Sequence, residues 1–292
     1  DEARTAARAS EYGTAAYTDI ERMLAAEHPD LVTVCLPNEH HFGPTLQVIQ
    51  AGVPLLAEKP LVFELDQANR LIREADDRNL FFGINFNHRY AEPVARAKAA
   101  VDTGELGELV FATWRFGGEE NMADSPHANL IETQCHGFDM LEHLCGPIVS
   151  VAAQMTNKTY GAFSTMAIAL EFADGADGTM LGSYDSSYAY EDAQRVELNC
   201  TLGRAVIHDT VRSLTIEHAG DETAKVWRAG YFNDEARTFE YTFDRHVDAL
   251  LTALRAGHEP PVPAAAGRRA LALALAVIES HETGRRVDTF GV

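Results

Sequence analysis

Three short, mostly apolar runs, at residues 31–36, 54–57 and 80–86, alternate with segments of helical periodicity over the first hundred residues. A strand with no polar face has to be covered on both sides, and helices placed between such strands provide the cover. The pattern therefore specifies an α/β domain around a parallel sheet, with ligands bound beyond the carboxyl ends of its strands. The intervening helices read as residues 2–12, 19–27, 41–51 and 65–78, and a fifth follows at 92–102.

After the turn Thr103-Gly104-Glu105-Leu106-Gly107 the pattern changes to strands, at 108–116, 148–155, 163–172, 178–187, 195–200, 203–208 and 213–218. Glycine turns such as Asp174-Gly175 and Leu202-Gly203 join them, which indicates one large, mostly antiparallel sheet. A helix at 130–145 interrupts this region, and helices at 243–256 and 265–283 close it. The organisation is thus an α/β domain over 1–102 and an α+β domain over 103–292, whose closing helices are placed to pack back toward the first. With 292 residues, two cores can be buried without disulfide or metal staples.

Charge narrows the partners. Twenty-four basic against 44 acidic residues leave a net charge of -20, a field that repels phosphate backbones and anionic lipid surfaces. Neither nucleic acid nor a membrane is expected as a partner. The four cysteines, Cys35, Cys135, Cys145 and Cys200, show no zinc-like spacing, so no metal site is expected and free thiols in a reducing compartment fit best. The longest apolar run, at 270–278, is too short for a membrane span, and Asp1-Glu2-Ala3-Arg4 has neither the basic start nor the apolar stretch of a secretory signal. A cytoplasmic protein is expected.

Chemistry is concentrated at the predicted strand ends. Leu36-Pro37-Asn38-Glu39-His40-His41 follows the first strand, Glu58-Lys59-Pro60 the second and Asn85-Phe86-Asn87-His88-Arg89-Tyr90 the third, so all three open into one crevice. Singly, each also reads as a surface turn, with Asn38 an N-cap in the first. A fourth element carries Glu132 and His136; on a helix, residues four apart share a face, where a carboxylate can orient an imidazole and make it more basic. The same pair reads equally as a surface pair, and Asp139 as a residue that holds the helix in place.

The order P-N-x-x-H, E-K-P, N-x-R-[FY] and [DE]-x-x-x-H-x-x-D, closed by Gly284-Arg285-Arg286-Val287 after a long helical stretch, resembles the Gfo/Idh/MocA family of glucose-fructose oxidoreductase and inositol dehydrogenase. The resemblance covers essentially the whole chain. It implies a Rossmann-type first domain, a nicotinamide cofactor, NAD or NADP, and hydride transfer to or from a secondary hydroxyl of a sugar, cyclitol or related polyol. It also implies a homodimer or homotetramer. Glu58 and Lys59 would face the nicotinamide ribose, with Lys59 also near the reacting hydroxyl. His136 would be the acid/base, Pro37, Asn38 and His41 would line the nicotinamide side, and Asn87 and Arg89 would support the pocket. Glu132 stands where many members have aspartate, and its extra methylene changes its reach. Arg115, His127, Asn129, Gln134 and Tyr184 can hydrogen-bond substrate hydroxyls or stack on a ring, and equally can be solvated or packed sheet residues.

None of the 21 glycines forms a G-x-G-x-x-G, so the resemblance implies a Rossmann domain that is incomplete at its start, lacking the first strand-helix-strand unit. The intact site residues favour a leading segment outside these 292 residues over a shortened molecule. Two alternatives stand beside the dehydrogenase: glycoside cleavage or elimination through transient oxidation with no net redox change, and a non-catalytic sugar-binding protein.

Overall fold

The computed structural model describes residues 1–118, 125–158, 161–186, 189–228, 230 and 238–289. Its first layer is a three-stranded parallel sheet in the order β1 (Val32–Val34), β2 (Leu55–Ala57), β3 (Phe82–Ile84). β2 and β3 are buried along their whole length, as strands covered on both faces must be. The helices are α1 (Glu2–Tyr12), α2 (Ile20–Glu27), α3 (Phe42–Gln50), α4 (Leu65–Asp76) and α5 (Glu92–Asp102). Asp1 and Asp19 cap α1 and α2, each side chain accepting from the backbone N–H three residues on. The three strands are shorter than their apolar runs.

The second layer is a nine-stranded sheet built from β4 (Leu109–Gly117), β5 (Ile148–Thr156), β6 (Thr165–Phe172), β7 (Asp177–Ser183), β8 (Gln194–Cys200), β9 (Gly203–His208), β10 (Ser213–His218), β11 (Ala224–Arg228) and β12 (Val287–Asp288). Their spatial order is β11-β10-β9-β8-β4-β7-β6-β5-β12, antiparallel throughout except for the β4–β7 pair. β7 ends at Ser183 rather than continuing to 187, and Ser187 lies outside the described residues. The sequence pattern had no place for β11 and β12, two short edge strands. The helix expected at 130–145 is two elements: a π-helical turn, Asn129–Thr133, closed by Gln134 N–H donating to Asn129 O at 3.1 Å, and α6 (Cys135–Cys145).

Helix α7 (Tyr241–Ala256) and helix α8 (Ala264–Thr283) follow. α8 joins the layers: Arg268 donates to Asn69 on α4 at 2.6 Å, while Arg269 donates to Glu142 on α6 and to the carbonyls of Ile148 and Thr289. Gly267 makes the approach possible, since a Cβ there would stand 2.2 Å from Ile84 Cδ1 on β3. One apolar core runs through both layers, with Phe86, Trp114, Phe138 and Phe172 among its largest fully buried side chains. No helix among the described residues is long and apolar enough to cross a membrane.

Candidate active site

The site lies where the chain leaves the three parallel strands. The ladder continues one bond further on each side of β2: Glu58 N–H donates to Val34 O at 3.0 Å, and Asn85 N–H to Ala57 O at 2.9 Å. Glu58 and Asn85 are thereby held side by side at the carboxyl edge, and Asn85 Nδ2 donates to Glu58 Oε1 at 2.6 Å. With its amide NH2 on a carboxylate, Asn85 presents its oxygen to His246 Nδ1 at 2.7 Å, so His246 carries its proton on Nδ1. His246, fully buried on α7, stacks on Tyr90 with ring centroids 4.6 Å apart. Burial, then the charge of Arg89, push its pKa down to about 4.

Lys59 follows Glu58 and precedes a cis peptide to Pro60. Its Nζ donates to the carbonyl oxygen of Glu132 at 3.1 Å, which ties the end of β2 to the π-helical turn. Near the start of α6, His136 is buried and stacks on His88, with ring centroids 3.9 Å apart and planes 8° from parallel. The edge of Phe86 closes another side at 5.8 Å. Burial first, then His88 and the positive charge of Lys59, hold His136 well below 6.5. His88 is pushed down to about 3 by burial and then by Lys59. A cation thus faces two imidazoles that resist protonation.

Several expected residues brace this crevice. His41 is buried, with Nδ1 2.7 Å from Pro60 O and Nε2 2.9 Å from Leu36 O, and so clamps the loop after β1 to the loop after β2. Pro37 is exposed and Asn38 half-buried; both sit in that first loop, where Asn38 O accepts from His41 N–H. Asn87 is buried and donates from Nδ2 to Thr242 Oγ1 on α7 at 2.7 Å. Arg89 grips Asp139 with two bonds, Nε to Oδ2 at 2.8 Å and Nη2 to Oδ1 at 2.5 Å, and so fastens the loop after β3 to α6. Burial raises the Asp139 carboxyl to about 6 in spite of that guanidinium.

The structure corrects other expectations. Among the described residues His136 Nδ1 is buried without a hydrogen-bond partner, so none of their carboxylates, that of Glu132 included, orients the ring through that atom. It is the carbonyl of Glu132, in the π-helical turn, that reaches Lys59. Asn129 and Gln134, named as substrate contacts or equally as packed residues, are fully buried: Asn129 Nδ2 donates to Ser164 O at 3.0 Å, and Gln134 Oε1 accepts from Trp114 Nε1 at 3.1 Å. Arg115 alternates with Trp114 along β4 and therefore points from the opposite sheet face, where it pairs with Asp192 at 3.2 Å. His127 stacks on Phe163 at 5.3 Å, a ring that also meets His281 on α8. Tyr184 is the expected substrate residue that does touch the site's frame, through a hydrogen bond with Thr133 Oγ1 in the π-helical turn. His88, Asn85, Thr242 and His246 are site residues without a local signal in the sequence beyond their place after β3 or on an amphipathic helix.

Comparison with known proteins places this arrangement. Residues 1–86 match the oxidoreductase family's NAD-binding Rossmann fold, and residues 94–206 match the GFO/IDH/MocA C-terminal domain. An inositol 2-dehydrogenase of Rhizobium meliloti is 24% identical over 96% of this chain and 86% of its own length. A D-xylose 1-dehydrogenase (NADP(+)) of Haloferax volcanii is 26% identical over 99% and 89%. Levoglucosan dehydrogenase, solved in complex with NADH and levoglucosan, superposes with a TM-score of 0.88 at 17% identity, over all of this chain and 88% of that one. The chain belongs to the GFO/IDH/MocA oxidoreductase family, with an NAD-binding Rossmann domain followed by that family's C-terminal domain.

Proposed function

We propose that this enzyme oxidises a secondary hydroxyl of a sugar, cyclitol or related polyol, and catalyses the reverse reduction, with Lys59 and His136 carrying the proton chemistry. The observation that carries the reading is the Lys59 Nζ to Glu132 O bond at 3.1 Å, which fixes a cation at the strand ends close enough to His136 to disfavour its protonation. The donor set fits the nicotinamide end of the cofactor: Glu58 keeps an oxygen whose one bond is a 3.3 Å contact from Lys59 N–H, free to accept from a ribose hydroxyl, and Asn38 lies in the neighbouring loop. When bound, the nicotinamide supplies the hydride acceptor or donor that no side chain provides.

The side chains do the rest. His136 Nδ1 is buried, which leaves Nε2 to take the hydroxyl proton, and a ring held neutral is a ring ready to accept one. Lys59, anchored at its amino group by a carbonyl, places fixed positive charge where the alkoxide develops. The relatives named for inositol and D-xylose, and the structural neighbour named for levoglucosan, support ring polyols as the substrate class. Lys59→Ala and His136→Ala are each expected to lower turnover by at least about 100-fold. Near-wild-type rates in both variants would refute the assignment.

A further inference from the structure

We propose that His88 is a positioning residue for the acid/base: stacked flat on His136, it orients that imidazole and holds it in the neutral, proton-accepting form. The inference rests on the reading of His136 as the base and deepens it. An imidazole that moves protons is commonly held by a carboxylate on its second nitrogen, which fixes the tautomer and favours the cation. Here that nitrogen, Nδ1, is buried and has no partner among the described residues. What meets the ring is another ring, 3.9 Å away and 8° from parallel, and both rings are at least nine-tenths buried.

His88 is itself fixed. The amide Nε2 of Gln194 on β8 lies 3.4 Å from His88 Nδ1, so that nitrogen accepts and His88 carries its proton on Nε2. The edge of Phe239 closes its outer face at 5.1 Å and a right angle. The stack is therefore enclosed by Phe86 on one side and Phe239 on the other, surroundings that favour two neutral rings. The charged and titratable groups on the elements packed around it include Lys59 after β2, Arg89 paired with Asp139 between the β3 loop and α6, Glu132 in the π-helical turn, and Arg245 and His246 on α7, which meet Tyr90. Lys59 repels a proton on either ring, and a charge on one ring excludes a charge on the other.

The functional consequence is a proton acceptor that does not lose its capacity to protonation near neutrality. A base that stays neutral well below pH 6.5 accepts the hydroxyl proton during oxidation over a wide range. In reduction the same ring must hold the proton, and lowering its affinity for that proton makes it scarcer as imidazolium but stronger as an acid.

The test is the titration of His136 in protein labelled at histidine 13Cε1, its resonance assigned by loss in His136→Asn. In the wild type the signal is expected not to titrate between about pH 5.5 and 8. In His88→Ala, where water reaches the exposed face, it is expected to titrate with its midpoint moved up by at least about one pH unit toward 6.5. Oxidation by that variant is expected to fall by about tenfold in kcat and to gain an acid limb, with little change in KM for NAD. His88→Phe, which keeps a ring on the face, is expected to restore both the silent signal and most of kcat. A wild-type His136 that titrates near 6.5 overturns the proposal without any variant, and so does a His88→Ala enzyme with wild-type titration and kcat. Unchanged turnover in His136→Asn would instead remove the base reading, a separate outcome from the titration.

Discussion

Gly137→Ala places one methyl group between helix α6 and the large sheet, next to His136. The new Cβ would stand 2.6 Å from both Met180 Cε and Trp114 Nε1 and 2.8 Å from Trp114 Cε2, where ordinary contact begins at 3.4 Å. Met180 can swing aside. Trp114 cannot, because it is buried and its indole N–H is bonded to the buried Gln134 Oε1 at 3.1 Å, an oxygen that would otherwise go unpaired. The helix must therefore retreat by most of an ångström and carry His136 with it. Replacing a helical glycine returns about 1 kcal/mol of propensity, whereas overpacking costs about 1–3 kcal/mol, so the net loss is roughly 0–2 kcal/mol and Tm falls by only a few degrees. Misplacing a reacting group by about 1 Å costs on the order of 100-fold in rate. The variant is therefore expected to be folded and nearly as stable as the wild type but about 100-fold slower, measured by thermal melting beside steady-state kinetics on the polyol the wild type turns over best. Turnover within about threefold of wild type would refute the idea that the packing of α6 on the sheet sets the position of His136.

Acid should destabilise the fold. His88, His136 and His246 are buried with pKa values pushed down, so the unfolded chain takes up their protons near pH 6.5 and the folded chain does not; their stabilisation is full above that pH and is lost as pH falls toward 4. At pH 5 relative to pH 7, His88 and His246 each cost about 2 kcal/mol and His136 acts in the same direction, while Asp139, raised to about 6, offsets about 1 kcal/mol because its folded form holds a proton there. Urea midpoints that agree at pH 5 and pH 7 would contradict neutral burial of the three rings. Arg89→Met strands the buried Asp139 carboxylate and is expected to cost about 3–5 kcal/mol in urea unfolding, with part recovered by adding Asp139→Asn. A loss below about 1 kcal/mol would mean that the pair does not hold α6 to the strand ends.

The elements that build the crevice were legible because their signals are local. Apolar runs gave β1, β2 and β3, polar residues just after them marked the carboxyl edge, and Lys59 and His136 could be picked out before any coordinates. Partners were not legible. Asn87 bonds Thr242 and Asn85 bonds His246 across more than 150 residues, and nothing in either segment announces the other. The same limit left Asn129 and Gln134 open between substrate contact and packing: a polar side chain reads alike whether it meets substrate, solvent or a buried tryptophan, and their bonds to Ser164 and Trp114 come from other strands or the loops beside them. Arg115 was misplaced by a single step of strand alternation, since Trp114 beside it faces α6. The π-helical turn was invisible for a different reason. Asn129-Leu130-Ile131-Glu132-Thr133 has ordinary helical periodicity, and the one-residue change of register arises where Gln134 inserts against Gly182, at which a Cβ would come within 2.4 Å of the glutamine.

Direct transfer of hydrogen from a ring carbon to the nicotinamide is the central claim, and it can be read in one experiment. The enzyme is mixed with NAD and a panel of carbon-deuterated cyclitols and pyranoses, and the reduced cofactor is weighed by mass spectrometry. The account predicts NADH carrying one deuterium from at least one member of the panel, with the signal lost in His136→Ala. Absence of cofactor reduction across the panel, or unlabelled NADH, would contradict it.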